Sequence, residues 1–309
     1  MQQTGFANLR PFRNLYCSAV ECGLSEFCKV EQIAPLSDEE LMQICEYVIA
    51  KNKQSGVKEL FLKLPKFINI FDLFEKYELT GKVIISGLQI ESIESKFITS
   101  GKIIIEIESL ADFDENVLNK LAHFVGDYNL PVLLNLGDNL EEVGKVANKY
   151  KMSPTELAES FGFLDRKCYA RGLNFVDKDD QLLLKNYDVT LILSPRSDGE
   201  EGKGFVNNYN LIYHDLSFGF GSGKCYNVDM LAEGKLSILN TSNLMNESGL
   251  VKCDKILDAL SCETGEIQIP FDEDALFETI LDKKVNLLNI DESLKVNAKK
   301  IAQKLKEKN

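Results

Sequence analysis

Short apolar runs alternate with amphipathic stretches along most of the chain. The runs are Phe6–Leu9, Leu60–Leu64, Val83–Ser86, Ile103–Ile107, Val132–Asn135, Cys168–Gly172, Thr190–Ser194 and Leu216–Gly221. Runs this short, rich in Val, Ile, Leu and Phe, fit strands buried on both faces of a parallel sheet. The segments between them carry helix signals. Ser37-Asp-Glu-Glu40 and Ser153-Pro-Thr-Glu156 are capping boxes, the second with proline at the first helical position. Leu41, Ile44, Cys45, Val48 and Ile49 then repeat at helical spacing, as do Val117, Leu118, Leu121 and Phe124. Eight strands alternating with helices predict an α/β fold of the (β/α)8 barrel type over residues 1–287. An open doubly wound sheet is the main alternative, but its dinucleotide-binding glycine fingerprint is missing. Residues 288–309 predict one further helix, with Leu294, Ala298, Ile301 and Leu305 on a face docked on the barrel and lysines in water.

Composition narrows the class. The 309 residues can bury a sizeable core, and 44% hydrophobic with 27% charged residues is ordinary for a soluble domain. The net charge of −13 argues against nucleic acid or an anionic membrane as the main partner. No apolar run approaches a membrane span, and Met1–Phe6 lacks the basic and apolar regions of a signal peptide. The eight cysteines form no Cys-x-x-Cys pair, which suggests reduced thiols in the cytoplasm rather than a disulfide framework. Cys17, Cys22 and Cys28 lie close in sequence but lack zinc-ligand spacing.

In a parallel α/β protein the chemistry sits at the carboxyl ends of the strands. The run Val132-Leu-Leu-Asn-Leu-Gly-Asp138, followed at once by Asn139-Leu-Glu-Glu-Val143, is such a place. It holds no histidine or cysteine, and the same is true of the other strand ends. His123 and His214 fall elsewhere, in a helix and ahead of the eighth strand, where structural roles suffice.

Several stretches resemble the amidohydrolase superfamily, in particular its chlorohydrolases and its guanine, cytosine and S-adenosylhomocysteine-type deaminases. The likeness runs from Thr4 to Ser261, with Leu24–Phe113 similar only in strand order. Its longest piece joins Leu140-Glu-Glu-Val143 to Ser153-Pro-Thr-Glu-Leu-Ala-Glu-Ser-Phe-Gly-Phe-Leu-Asp165 and Leu182-Leu-Leu184. The resemblance implies a divalent metal held by imidazoles and a carboxylate at the barrel's carboxyl end, making hydroxide near neutral pH. The matching positions carry other residues. The family's Gly-Phe-x-Asn-x-His-x-His aligns with Gly5-Phe6-Ala7-Asn8-Leu9-Arg10-Pro11-Phe12, so Arg10 and Phe12 replace the histidines. His-Leu-Ala-Glu becomes Asn135-Leu136-Gly137-Asp138, and Ala-His becomes Ala170-Arg171. His-Cys-Pro-x-Ser-Asn becomes Leu193-Ser194-Pro195-Arg196-Ser197-Asp198, and Gly-Thr-Asp becomes Gly221-Ser222-Gly223 to within a residue or two. Phenylalanine and glycine offer no donor, and arginine keeps its proton. No metal or other cofactor is therefore expected. The family's small β-sandwich is not obvious either, and a barrel without it would expose apolar surface suited to a second copy or another subunit.

Two readings follow. In the leading one, the barrel has lost its chemistry and serves as a binding, regulatory or scaffold protein. Converging strand ends would gather Arg10, Asn135, Arg171, Arg196, Ser222 and Lys224 into a pocket for a small carboxylate or phosphate. Alternatively the arginines plug the pocket, as Arg10–Asp138 or Arg171–Asp198 pairs. In the competing reading the chain is an active C–N hydrolase or deaminase with a metal-independent site, Asp138 as general base and Arg171 and Arg10 as oxyanion stabilisers.

Overall fold

The computed structural model describes residues 4–30, 35–272 and 277–307. Ten strands run in chain order: β1 (Thr4–Leu9), β2 (Phe12–Ser18), β3 (Val57–Lys63), β4 (Thr80–Ser86), β5 (Ile103–Ile107), β6 (Val132–Asn135), β7 (Cys168–Arg171), β8 (Thr190–Leu193), β9 (Phe218–Phe220) and β10 (Ile267–Asp272). Strands β2 to β9 pair in parallel in sequence order, each with the next. The sheet closes where Ser18 N–H donates to Gly223 O at 2.9 Å and Gly223 N–H donates to Tyr16 O at 3.0 Å. At Gly221 a Cβ would stand 2.7 Å from Tyr16 O, so only glycine allows the strands this close. The result is a (β/α)8 barrel.

Seven of the eight strands coincide with apolar runs read from the sequence, and the first does not. The stretch containing Phe6–Leu9 pairs antiparallel with β10, Leu9 opposite Ile267, in a separate two-stranded ribbon. The barrel instead begins at Phe12–Ser18. Arg13 and Asn14 interrupt that run and hide it. Asn14 is nonetheless fully buried, because Asn52 and Ser222 satisfy its amide: its Nδ2 donates to Asn52 Oδ1 and Ser222 Oγ, both at 2.8 Å.

Strand alternation divides the barrel interior into layers. Leu15, Tyr16, Phe61, Ile84, Ile104, Leu133, Tyr169 and Ile192 form the apolar interior cluster, with Phe61 and Tyr169 edge to face at 5.3 Å. Two residues further along each strand, toward the carboxyl ends, the same faces carry Lys63, Ser86, Glu106, Asn135, Arg171 and Ser194. The floor is greasy and the next layer is charged. Outside the strands, helices bury their apolar faces in a second, larger core. Both capping boxes form, at Ser37 with Glu40 and at Ser153 with Glu156. The helix Glu292–Glu307 buries Ala298, Ile301, Ala302 and Leu305 and packs on the helix Asp38–Gln54.

Candidate active site

The mouth of the barrel is organised by ion pairs between strand ends. Lys63 Nζ lies 2.6 Å from Glu106 Oε2 and 2.5 Å from Glu108 Oε1. Arg171 reaches Glu106 from the opposite side at 3.8 Å, and its guanidinium covers the Tyr16 ring at 4.0 Å from the centroid. Burial works against the charge on Arg171, but the carboxylates of Glu106, Asp198 and Asp138 outweigh it and raise its pKa. Lys63 behaves alike: burial opposes its charge, while Glu106 and Glu108 hold the ammonium. Burial pushes the Tyr16 phenol up, which keeps it neutral.

Asp138 follows β6 at the edge of this network. Lys203 Nζ sits 2.8 Å from its Oδ2 and equally far from Glu201 Oε2. Its other oxygen is buried and has no hydrogen-bond partner. Gly172, at the end of β7 with φ +70, leaves room for it, since a Cβ there would stand 2.8 Å from Asp138 Cβ. Asp198 is buried near Arg171, and burial lifts its carboxyl to about 6 despite the pull of Arg171 and Lys203. Beside Asp138 opens a cleft of about 220 Å³ lined by Glu108, Asp112, Asn135, Asp138, Glu142 and Lys145, among others. Asn135 Nδ2 donates to Glu108 O at 2.8 Å, leaving its Oδ1 unpartnered.

The residues expected from the sequence to converge do so only in part. Asn135, Asp138 and Arg171 stand together at the mouth. Arg10 does not: it precedes β2 at the barrel's amino end and pairs with Asp258 on the surface. Phe12 opens β2 at the same end, in the core. Ser222 is fully buried against Asn14, whose Oδ1 accepts its N–H at 2.9 Å. Arg196 packs on Glu233, its Nε 3.5 Å from Oε1 and its N–H donating to Oε2 at 3.0 Å. Lys224 pairs with Glu201 at 3.0 Å and faces a neighbouring cleft. The expected cationic pocket is thus dispersed, each cation already facing a carboxylate. Neither expected plug pair forms as an ion pair; Arg10 takes Asp258 and Arg171 takes Glu106. His123 is exposed on the helix Glu115–Asp127, and His214 stacks edge-on with Tyr213 ahead of β9.

Sequence reasoning missed Lys63, Glu106 and Lys203. A signal existed for Glu106, a lone charge in Ile103-Ile-Ile-Glu-Ile107 that can be buried only with a partner. Nothing comparable marks Lys203, which arrives from a turn.

A divalent metal does not fit these residues. With the first barrel strand at Phe12–Ser18, the family's Asn-x-His-x-His falls on Asn14-Leu15-Tyr16-Cys17-Ser18. The ligand positions are then Tyr16, Ser18, Asn135 and Arg171, with Gly223 near the last. The Arg171 guanidinium covers one of them, Tyr16, and would repel a dication. Among the described residues, no three His, Cys, Asp or Glu side chains group as a metal site.

A closed parallel barrel with a charged carboxyl-end mouth beside an open cleft defines the class. No family model matches the chain. It is 26% identical over 144 residues to 5-methylthioadenosine/S-adenosylhomocysteine deaminase of Caldicellulosiruptor saccharolyticus, covering 46% of this chain and 34% of that one. With 5'-deoxyadenosine deaminase of Methanocaldococcus jannaschii it shares 22% over 167 residues, 50% of this chain and 40% of the other. Each match therefore spans well under half of the relative's length. The crystal structure of an adenosine deaminase from Xanthomonas campestris with bound zinc superposes with TM-score 0.80 at 11% identity, covering 98% of this chain and 86% of that one. Its homologues are 5-methylthioadenosine/S-adenosylhomocysteine deaminases, and its structural neighbours are deaminases and hydrolases of the amidohydrolase superfamily. These relatives correct the leading expectation of a barrel without chemistry that binds a small anion, because they are named for the deamination they perform. No helix among the described residues is long and apolar enough to cross a membrane.

Proposed function

We propose that this chain hydrolyses a C–N bond as an amidohydrolase-type deaminase, acting on an amine-bearing heterocycle such as a 6-aminopurine nucleoside, or on a related cyclic amidine or amide. The likeness to 5-methylthioadenosine/S-adenosylhomocysteine deaminase over nearly half of the chain carries this reading. The cleft beside Asp138 supports it. Asp138 lines the cleft just beyond the end of β6 and serves as general base toward water. Lys203 orients the Asp138 carboxylate through its Oδ2, at 2.8 Å. Arg171, fixed behind it by Glu106 and Tyr16, supplies positive charge toward the nitrogen or oxygen that turns negative as water adds. Arg10 has no part in this. The scattered cysteines, with no Cys-x-x-Cys pair among them, support a reducing compartment, the cytoplasm. The test is ammonia release by the purified protein from 5-methylthioadenosine, S-adenosylhomocysteine, 5'-deoxyadenosine, adenosine, guanine and a set of cyclic amides and amidines. Release from at least one is expected. Silence across the panel would overturn the reading.

A further inference from the structure

The cleft holds a second carboxyl group with no role so far. Glu142 lies in the first turn of the helix Leu140–Tyr150, where Asn139 caps the helix by accepting the Glu142 N–H at 2.8 Å. First-turn carboxylates usually stand in water, facing the helix amides. This one is only 9% exposed, and its Oε1 is buried with no hydrogen-bond partner. Asp138 and Asp112 crowd it with negative charge, the Ser109 hydroxyl hydrogen-bonds to it, and Lys203 acts from behind Asp138. Glu108, Glu141 and Lys145 complete the cleft, Lys145 being tied to Glu141 at 2.9 Å and Asp112 at 3.7 Å. Two neighbouring carboxyl groups in poor solvent do not both ionise. Lys203 lies against Asp138, 2.8 Å from its Oδ2. Burial and then Asp138 accordingly raise Glu142 to about 7.

We infer that Glu142 is the proton donor of this site, handing its proton to the nitrogen that leaves while Asp138 acts as the base. The inference rests on the deaminase reading. Water adds to the amine-bearing carbon, giving a proton through Asp138 to the ring nitrogen as the C=N pair moves there. The adduct then collapses: its hydroxyl returns a proton to Asp138, the C–N bond breaks, and the electron pair goes to the exocyclic nitrogen. That nitrogen takes the Glu142 proton and leaves as ammonia, and Asp138 re-protonates Glu142. Protons and electrons balance without another reactant.

The experiment compares wild type, Glu142→Gln and Asp138→Asn, using the substrate that wild type deaminates and carbon-13 NMR of labelled glutamate carboxyl groups. Wild-type rate is expected to fall as pH rises through about 7. In Glu142→Gln that falling limb should vanish and kcat drop by roughly a hundredfold or more. One glutamate resonance should titrate near neutrality, disappear in Glu142→Gln and move to lower pH in Asp138→Asn. An unaltered pH profile in a folded Glu142→Gln protein, or a Glu142 resonance titrating as an ordinary glutamate, overturns the inference and leaves the deaminase reading standing. Failure of wild type itself to release ammonia is a different result, which fells both.

Discussion

Arg171 and Glu106 meet across the top of the barrel, with Nη1 3.8 Å from Oε1 and both side chains buried. They come from β7 and β5, and Lys63 of β3 closes on the same carboxylate. Three strands are thereby tied together by charge. Removing one member of a buried ion pair leaves the other uncompensated, at a cost of about 3–5 kcal/mol. Glu106→Gln should lose stability of that order in urea unfolding. The double variant Glu106→Gln with Arg171→Met should recover a large part, since it removes both the charge and the demand for a partner. A double variant as unstable as the single one would contradict the pairing.

Gly172 offers a second test. Its φ of +70 suits glycine, and a methyl group would meet Asp138 at 2.8 Å. Gly172→Ala is expected to cost roughly 1–2 kcal/mol from the backbone alone. It should also push Asp138 out of register with Lys203. Ammonia release should fall much further than the thermal midpoint does. Equal, small effects on both would show that Asp138 is not held where the site needs it.

Stability should also depend on pH in a stated direction. Asp198 and Glu142 stand at about 6 and about 7 in the folded protein, both lifted chiefly by burial. In the unfolded chain such groups titrate near about 4. Between those limits the native state binds more protons than the unfolded one, so stability falls as pH rises from about 4 to 7. Glu233, raised to about 8 by burial, extends the decline. Glu40, lowered to about 2 mainly by its bond with Lys304, works oppositely but only below its ordinary value. The thermal midpoint should be highest on the mildly acidic side, and Asp198→Asn or Glu142→Gln should flatten the slope. A midpoint that climbs from pH 5 to 7 would contradict these environments.

The fold was legible where burial is uniform. The runs Ile103–Ile107 and Val132–Asn135 read as strands because both of their faces lie in apolar layers. β2 was illegible because Asn14 sits in the core on polar partners from Asn52 and Ser222, and no periodicity foretells such partners. Gly5-Phe6-Ala7-Asn8, imitating the family motif, completed the misreading and carried Arg10 into the wrong end of the barrel. At the site, Asn135, Asp138 and Arg171 followed from strand ends read against the motifs of the resembling family. Lys203 and the burial of Glu142 depend on how a turn and a helix start fold over the mouth, which no local pattern encodes.

In the proposed function, side chains rather than a dication run the chemistry of this barrel. The most direct measurement is ammonia release by protein dialysed against a chelator and shown by elemental analysis to be free of transition metal, for wild type and Asp138→Asn in parallel. Wild type is expected to retain its turnover and Asp138→Asn to lose it. Turnover that disappears on chelation and returns with zinc, or that survives in Asp138→Asn, would contradict that reading.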